Sequence, residues 1–391
     1  MPTPSEATTH ATERQVLVVG GGVDGLATAA FLRRSGLSPV VVTADGTAAA
    51  TSPAPADCAS VRSRPVVLWR PALSLLDGLG VGDALRTAGE PIREWRLHHD
   101  RDGAAERLSC VNDADVRAVA VGRDQLRKRL RDPLSSADLC LSKTPQRLDR
   151  TDHGVSVTFA DGVRERFDAV VGADGVRSWV RDARTGDTEV SSWGTTEWSV
   201  SADGCDTVET VVDVWTPSAL FTCHPSGRGL FVTPTTDRAD EPHSRSVATA
   251  HLRSLLDGVD GVGTDVTLGV RRRQLTRSAD QWSLGRVGFV GAAARSLPPT
   301  LPVESSLTVE AAATVARELV RSSTAVEALH RYARRRRCRL RALDRRVSFR
   351  LSSTERDVDP IGTVHELRTA TVRSLAGSRY PALPADVATD R

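Results

Sequence analysis

The pattern of apolar and polar positions changes period several times along the chain, and each change predicts an element. Val16–Val19 is an unbroken apolar run of the kind that forms a strand covered on both faces. Leu26, Ala27, Ala30 and Phe31 then recur at helical spacing up to Gly36, and Val40–Val42 is a second buried-strand run. Further on, Pro71–Leu79 carries a helical pattern, and Trp95–His98 is expected to be an exposed strand. Val119–Asp132 is the end of a strand running into a helix that opens at Arg123, with Leu126 and Leu130 on its apolar face. Residues 139–167 alternate polar and apolar around the turn Asp161-Gly162, which predicts a hairpin. Phe167–Arg181 is a buried strand ending at Asp174-Gly175. Residues 190–247 are strand-rich and gather Trp193, Trp198, Trp215, Phe221 and Phe231, either the wall of a ligand site or the core of a sheet. A helix is expected over 244–258, buried-strand chemistry returns over Gly285–Glu310, and the chain from Ala325 is helical and basic.

The first of these units also carries chemistry. Gly20, Gly22 and Gly25 stand in G-x-G-x-x-G spacing between the first strand and the first helix. In such a strand–helix–strand unit the first glycine permits a tight turn, the second lets a pyrophosphate approach the backbone, and the third lets helix and strand pack closely. The helix start adds unpaired N–H groups and partial positive charge. A dinucleotide-binding fold is therefore expected. The ribose-binding carboxylate of such folds belongs at the end of the second strand, where this chain has Thr43. Asp45 lies two residues on and is either that contact or a turn residue of Asp45-Gly46.

Composition narrows the picture only slightly. The chain has 391 residues, 26% of them charged and 40% hydrophobic, which suits two domains or one large one. A net charge of +3 gives no reason to expect a polyanionic partner. The run RYARRRRCRLRALDRR has no aromatic stacking platform beside it, so a solvated helix face is expected and no nucleic-acid partner. Six scattered cysteines without a C-x-x-C pair suit a reducing, cytoplasmic setting and no metal site. No apolar run reaches membrane-spanning length, and the polar first 13 residues resemble neither a signal peptide nor a folded element, so disorder is expected there.

Three separated segments together resemble the FAD-dependent monooxygenases of the aromatic-hydroxylase type, from Val16 to about Arg350. The first is the glycine turn. The second, Gly172-Ala173-Asp174-Gly175-Val176-Arg177-Ser178, is similar to that family's Asp-Gly motif. The third, Gly285–Gly291, is similar to the lead-in to its Gly-Asp motif. Arg123 matches a family arginine that touches the flavin. The resemblance implies an α/β fold, a Rossmann-like FAD-binding domain interleaved with an antiparallel β-sheet substrate domain and followed by a helical C-terminal region. It places the FAD domain at 14–189 and 271–324, the substrate domain at 190–270 and the basic helical region at 325–391. It implies FAD bound by Gly20, Gly22, Gly25, Asp45, Arg123, Asp174 and Gly291. It further implies NAD(P)H and O2 as co-substrates and a hydrophobic or aromatic small-molecule substrate.

The chain departs from the family pattern at the far wall of the site. Ala292 stands where an aspartate grips the ribityl chain, and Arg295 where a histidine follows. The loop Thr300–Ser305, glycine-rich in the family, contains Pro302, which has no N–H, and Glu304, a carboxylate facing the negative charge of reduced flavin. A hydrogen bond to a charged group contributes about 1.5–3 kcal/mol. Losing two, at Thr43 and Ala292, would weaken flavin binding by about 10² to 10⁴ unless Asp45 and Arg295 compensate. Two functions follow. One is FAD-dependent hydroxylation or epoxidation. The other is a non-redox descendant of the fold, a ligand-binding protein or cyclase-like enzyme. No Ser/His/Asp or paired-carboxylate constellation stands out, and no catalytic residue is assigned.

Overall fold

A computed structural model describes residues 14–42, 65–99, 105–109, 111–112, 115–140, 142–186, 190–203, 209–215, 219–225, 229–237, 266–276, 281–297, 301–351 and 371–372. The first 13 residues, Thr43, Asp45, the expected helix over 244–258 and Pro298–Thr300 lie outside the described residues.

The chain begins as its pattern predicts. Strand β1 (Gln15–Val19) leads into helix α1 (Val23–Arg34), and β2 (Ser38–Val42) follows. Val16–Val19 are fully buried, as a strand flanked by neighbours on both sides and both faces requires. Leu26, Ala27, Ala30 and Phe31 are all buried along α1. Next come β3 (Pro65–Trp69), α2 (Arg70–Gly78), α3 (Gly82–Ala88), β4 (Glu90–Ile92), β5 (Glu94–His99) and β6 (Ala105–Ser109). The short β7 (Val111–Asn112) and β8 (Asp115–Val116) precede β9 (Ala118–Gly122), which runs directly into α4 (Arg123–Arg131).

The middle of the chain forms a three-stranded antiparallel sheet, β10 (Pro145–Thr151), β11 (Gly154–Phe159) and β12 (Arg164–Phe167). Gly162 has φ +81° in the hairpin turn, a conformation that the Asp-Gly pair accommodates. Then β13 (Ala169–Gly172) leads into the short α5 (Trp179–Thr185).

Two larger sheets organise the molecule. In the first, β1, β2, β13 and β20 (Val287–Phe289) are parallel, and β19 (Ser283–Leu284) closes one edge; the order is β19-β20-β13-β1-β2. In the second, β14 (Ser191–Asp203), β15 (Thr210–Trp215), β16 (Ala219–Pro225), β17 (Gly229–Asp237) and β18 (Val266–Thr276) pair antiparallel. That sheet also recruits β5 and β6, with β5 lying parallel to β15. This corrects the expectation of an exposed strand at Trp95–His98. Trp95 and Leu97 are 0% and 2% exposed because β5 is an internal strand of a seven-stranded sheet.

Helices α6 (Glu304–Arg321) and α7 (Ala325–Leu351) complete the structure. Helix α6 packs on α1. Its Ala311, Ala312 and Ala316 and the Ala27 and Ala30 of α1 are all buried, and small side chains let two helices approach closely. The basic run is not simply a solvated face. Arg336 is buried, and with Arg339 it clamps the fully buried Glu310 of α6 at 3.1 Å each. Arg335 reaches the buried Glu318 at 2.8 Å. Among the described residues, no helix is long and apolar enough to cross a membrane.

Candidate functional site

The carboxyl ends of β1, β13 and β20 lie side by side, so the three motifs of the sequence converge on one edge of the parallel sheet. Ala173 N–H donates to Val19 O at 2.8 Å, and Val290 N–H donates to Gly172 O at 2.9 Å. In an open α/β sheet this edge is where a ligand binds.

The glycine turn is built from backbone contacts that only glycine permits. Gly20 has φ +133°, and a Cβ there would lie 2.2 Å from Ala173 O. A Cβ on Gly25 would lie 1.7 Å from Gly20 O, so the helix sits directly on the turn. Gly22 differs: a Cβ on it would meet nothing within 4 Å. Its face is open, as required of the position where a phosphate approaches. Gly22 caps α1 without a side-chain hydrogen bond, and Leu26 N–H is the first to bond back, to Gly22 O at 3.0 Å. The N–H groups of the first turn therefore have no partner within the helix. These residues fit a diphosphate.

Helix α4 supports the same turn. Arg127 donates from Nη2 to Gly21 O at 3.2 Å. Burial raises the pKa of Asp24, and Arg123, the first residue of α4, carries its charge close enough to oppose that rise.

Asp174 plays a local part. Its Oδ2 accepts from Val180 N–H at 3.1 Å, so it closes its own turn and caps the start of α5. Burial raises its pKa to about 6, against hydrogen bonds from Ser178 and from the backbone of Val180, Asp174 and Trp179. The same segment is fixed from behind by the buried Arg181, which donates to Ala293 O at 2.8 Å and Val176 O at 2.6 Å. The Asp174 turn thus ties the glycine turn to the Gly291 segment.

That segment is a 3-10 turn, Gly291–Ala293, with Gly291 at φ +57°. Ala292 lacks the expected side-chain carboxylate, yet a carboxylate is present. Asp24 Oδ2 accepts from Ala292 N–H at 3.3 Å, and its Oδ1 accepts from Thr308 Oγ1 at 2.9 Å. A Cβ on Gly291 would lie 2.2 Å from Asp24 Oδ2. Burial pushes the Asp24 carboxyl up, opposed by Arg123 and by its bonds from Thr308 and Ala292. Asp24, Arg127 and Thr308 are the site residues that sequence reasoning missed. For Asp24 a signal existed: an acidic side chain inside a phosphate-binding glycine turn.

At the far wall, Pro302 offers its carbonyl rather than an N–H. Trp69 Nε1 donates to Pro302 O at 2.6 Å, and Trp69 N–H donates to Ser306 Oγ at 3.0 Å. Trp69 stacks on Trp95, with centroids 6.1 Å apart and planes 12° apart, joining this wall to the seven-stranded sheet. Glu304 opens α6 and lines a small cleft with Gly291, Arg295, Thr308 and Tyr332. Of the aromatics expected in the substrate sheet, Phe221 is buried and belongs to the core. Among the described residues no group of three His, Cys, Asp or Glu side chains could hold a metal ion.

Comparison with known proteins agrees with this geometry. The FAD binding domain family matches residues 13–347. The FAD-dependent monooxygenase pynG of Aspergillus niger is 33% identical over 178 residues, 43% of this chain and 38% of pynG, so the match spans well under half of that protein. The aurachin C monooxygenase/isomerase of Stigmatella aurantiaca is 26% identical over 342 residues, 81% of this chain and 83% of that one. Among solved structures, Klebsiella pneumoniae HpxO complexed with FAD and uric acid superposes with a TM-score of 0.71 at 20% identity, covering 93% of each chain, which shows a shared fold. The converging motifs, the fold and these matches lead to one conclusion: the chain belongs to the FAD binding domain family.

Proposed function

We propose that the protein is an FAD-dependent oxidoreductase that hydroxylates or epoxidises a hydrophobic or aromatic small molecule, with NAD(P)H and O2 as co-substrates. The observation that carries this reading is Gly22. In a turn where Gly20 and Gly25 are packed against backbone, a Cβ on Gly22 would meet no atom of the described residues within 4 Å, at a helix start. That is the arrangement of a phosphate cradle rather than of a closed turn.

The chain's own residues have separable tasks. The first-turn N–H groups of α1 would hold the diphosphate, with Arg123 adding positive charge beside it. Asp45 would hold the ribose. The Asp174 turn and the Gly291 segment would fix the distance between the two walls. The start of α6, where Leu307 N–H bonds back to Val303 O at 2.9 Å, would add backbone N–H groups to the ring-side wall. Bound FAD would supply the redox chemistry of a monooxygenation, in which two electrons from the nicotinamide and two protons reduce O2 so that one oxygen atom enters the substrate and the other leaves as water. The protein's share is orientation and exclusion of water.

The experiment is to incubate purified protein with excess FAD, remove unbound flavin and record the visible spectrum. Retained flavin absorbance, and NAD(P)H oxidation stimulated by an aromatic substrate, support the reading. A colourless protein refutes it. Ala292, Pro302 and Asp24 favour a second reading, a non-redox descendant that binds a ligand or guides a cyclisation. That reading fails if NAD(P)H oxidation depends on the bound FAD.

A further inference from the structure

Two stretches of backbone meet at the site: the first turn of α1 and the 3-10 turn at Gly291–Ala293. One side chain bridges them. Asp24 leaves α1 within its first turn, packs against the Cα of Gly291 and accepts from both Ala292 N–H and Thr308 Oγ1. An amide, a hydroxyl and the nearby guanidinium of Arg123 converging on one carboxylate make an anion site that the chain fills from within.

We propose that Asp24 is a built-in anion that opposes the diphosphate of the cofactor, so that the nucleotide binds well only when Asp24 is protonated or displaced. This rests on the flavin reading above. A diphosphate at the start of α1 brings two negative charges next to a carboxylate carried two residues along the chain from the open Gly22 face. Like charges that close disfavour one another strongly in a partly dry site. Either the carboxylate takes up a proton or it gives up Ala292 and Thr308.

The charges around Asp24 set the direction of the pH effect. From α4 it faces Arg123; from α6, the Thr308 hydroxyl; from α7, Tyr332, whose own hydroxyl donates to Phe289 O at 2.8 Å. Arg295, Glu304 and Arg336 line the adjoining cleft with Thr308. Burial already raises the Asp24 pKa, and a neighbouring diphosphate raises it further. Binding of nucleotide therefore takes up a proton and tightens as pH falls.

The test is a fluorescence-quenching titration of FAD into wild type and Asp24→Asn at pH 5.5 and 8.0, with ADP and riboflavin as partial ligands. The substituted amide keeps one oxygen to accept from Ala292 N–H and can donate its NH2 to the Thr308 hydroxyl oxygen, and thermal melting checks that the variant folds. The expected result is wild-type affinity for FAD and ADP about tenfold or more higher at pH 5.5 than at 8.0. The asparagine variant should match the low-pH affinity at both pH values, and riboflavin, which has no diphosphate, should gain nothing. A variant that binds FAD equally or more weakly at pH 8.0 would make Asp24 a spectator or a cofactor ligand, overturning the proposal but not the flavin reading. No FAD binding by either protein at either pH overturns both. If the variant does not fold, the wild-type pH dependence decides alone, and a flat profile overturns the proposal.

Discussion

The two walls of the site are made of different material. At the amino end the ligand-facing surface is backbone: glycines at 20, 22 and 25, held by Ala173 and by Arg127, with no side chain of the described residues over the Gly22 face. At the opposite wall the surface is side chains and carbonyls: Trp69 on Pro302, Ser306 on the Trp69 N–H, Glu304 beside Arg295, and Asp24 reaching across to Ala292. The packed positions Gly20 and Gly25 tolerate little change, because a Cβ at either would meet another backbone atom. Side-chain surfaces can be rebuilt one residue at a time while the helix behind them stays in place. This is how a nucleotide cradle can persist beside a wall that departs from its family at Ala292, Pro302 and Glu304.

Several substitutions would break or sharpen that contrast. The largest effect is expected behind the rebuilt wall. Glu310 is fully buried between Arg336 and Arg339, so Glu310→Ala leaves two guanidinium groups uncompensated and should cost about 3–5 kcal/mol in denaturant unfolding. A neutral result would mean that α7 is not anchored to α6 by charge. Next comes the cradle. Gly25→Ala places a methyl 1.7 Å from Gly20 O, and strain of this kind costs about 1–3 kcal/mol or more. Its melting temperature should fall well below that of Gly22→Ala, which meets nothing. Equal losses at the two glycines would erase the distinction between packed and open positions.

Trp69→Phe keeps the ring packing but leaves Pro302 O without its donor, at a cost of about 1–2 kcal/mol. A larger loss would show that the Trp69–Trp95 stack, rather than the hydrogen bond, holds the far wall. A further prediction concerns the pH dependence that Asp174 sets. Its folded pKa of about 6 lies above the ordinary 3.8, so the folded state holds the proton more tightly than the unfolded state. Stability from this group is full below about pH 4 and is lost as pH rises through about 6, by up to roughly 3 kcal/mol and less where water reaches it. Asp174→Asn should flatten the stability profile between pH 4 and 6. An unchanged slope would place the titration elsewhere.

Much of the first wall was legible in the sequence because it is local. The Val16–Val19 run, the three glycines and the α1 face lie within twenty residues, and period and spacing suffice to place them. The same holds for the Asp161-Gly162 hairpin, the Asp174 turn and the strand-to-helix junction at Arg123. What escaped depends on contacts distant in sequence. Trp95 reads as exposed until β5 is seen to pair with β15 more than a hundred residues later. Arg336 reads as solvated until Glu310 is seen beneath it. Asp24 draws no attention in the sequence until Ala292 and Thr308 are seen to donate to it. No periodicity encodes such pairings, because each side is compatible with solvent on its own. The contacts of Asp45 lie outside the described residues, and its role with the ribose stands as a proposal.

The central claim is that the open face of Gly22 is a nucleotide cradle, and one comparison tests it directly. Wild type and Gly22→Ala would each be incubated with excess FAD at pH 5.5, desalted and scanned in the visible range at matched protein concentration, with melting temperatures measured alongside. The account predicts flavin absorbance in the wild type and its loss in the variant, with melting temperatures that differ by only a few degrees. Flavin retained equally by both proteins, or by neither, would contradict it.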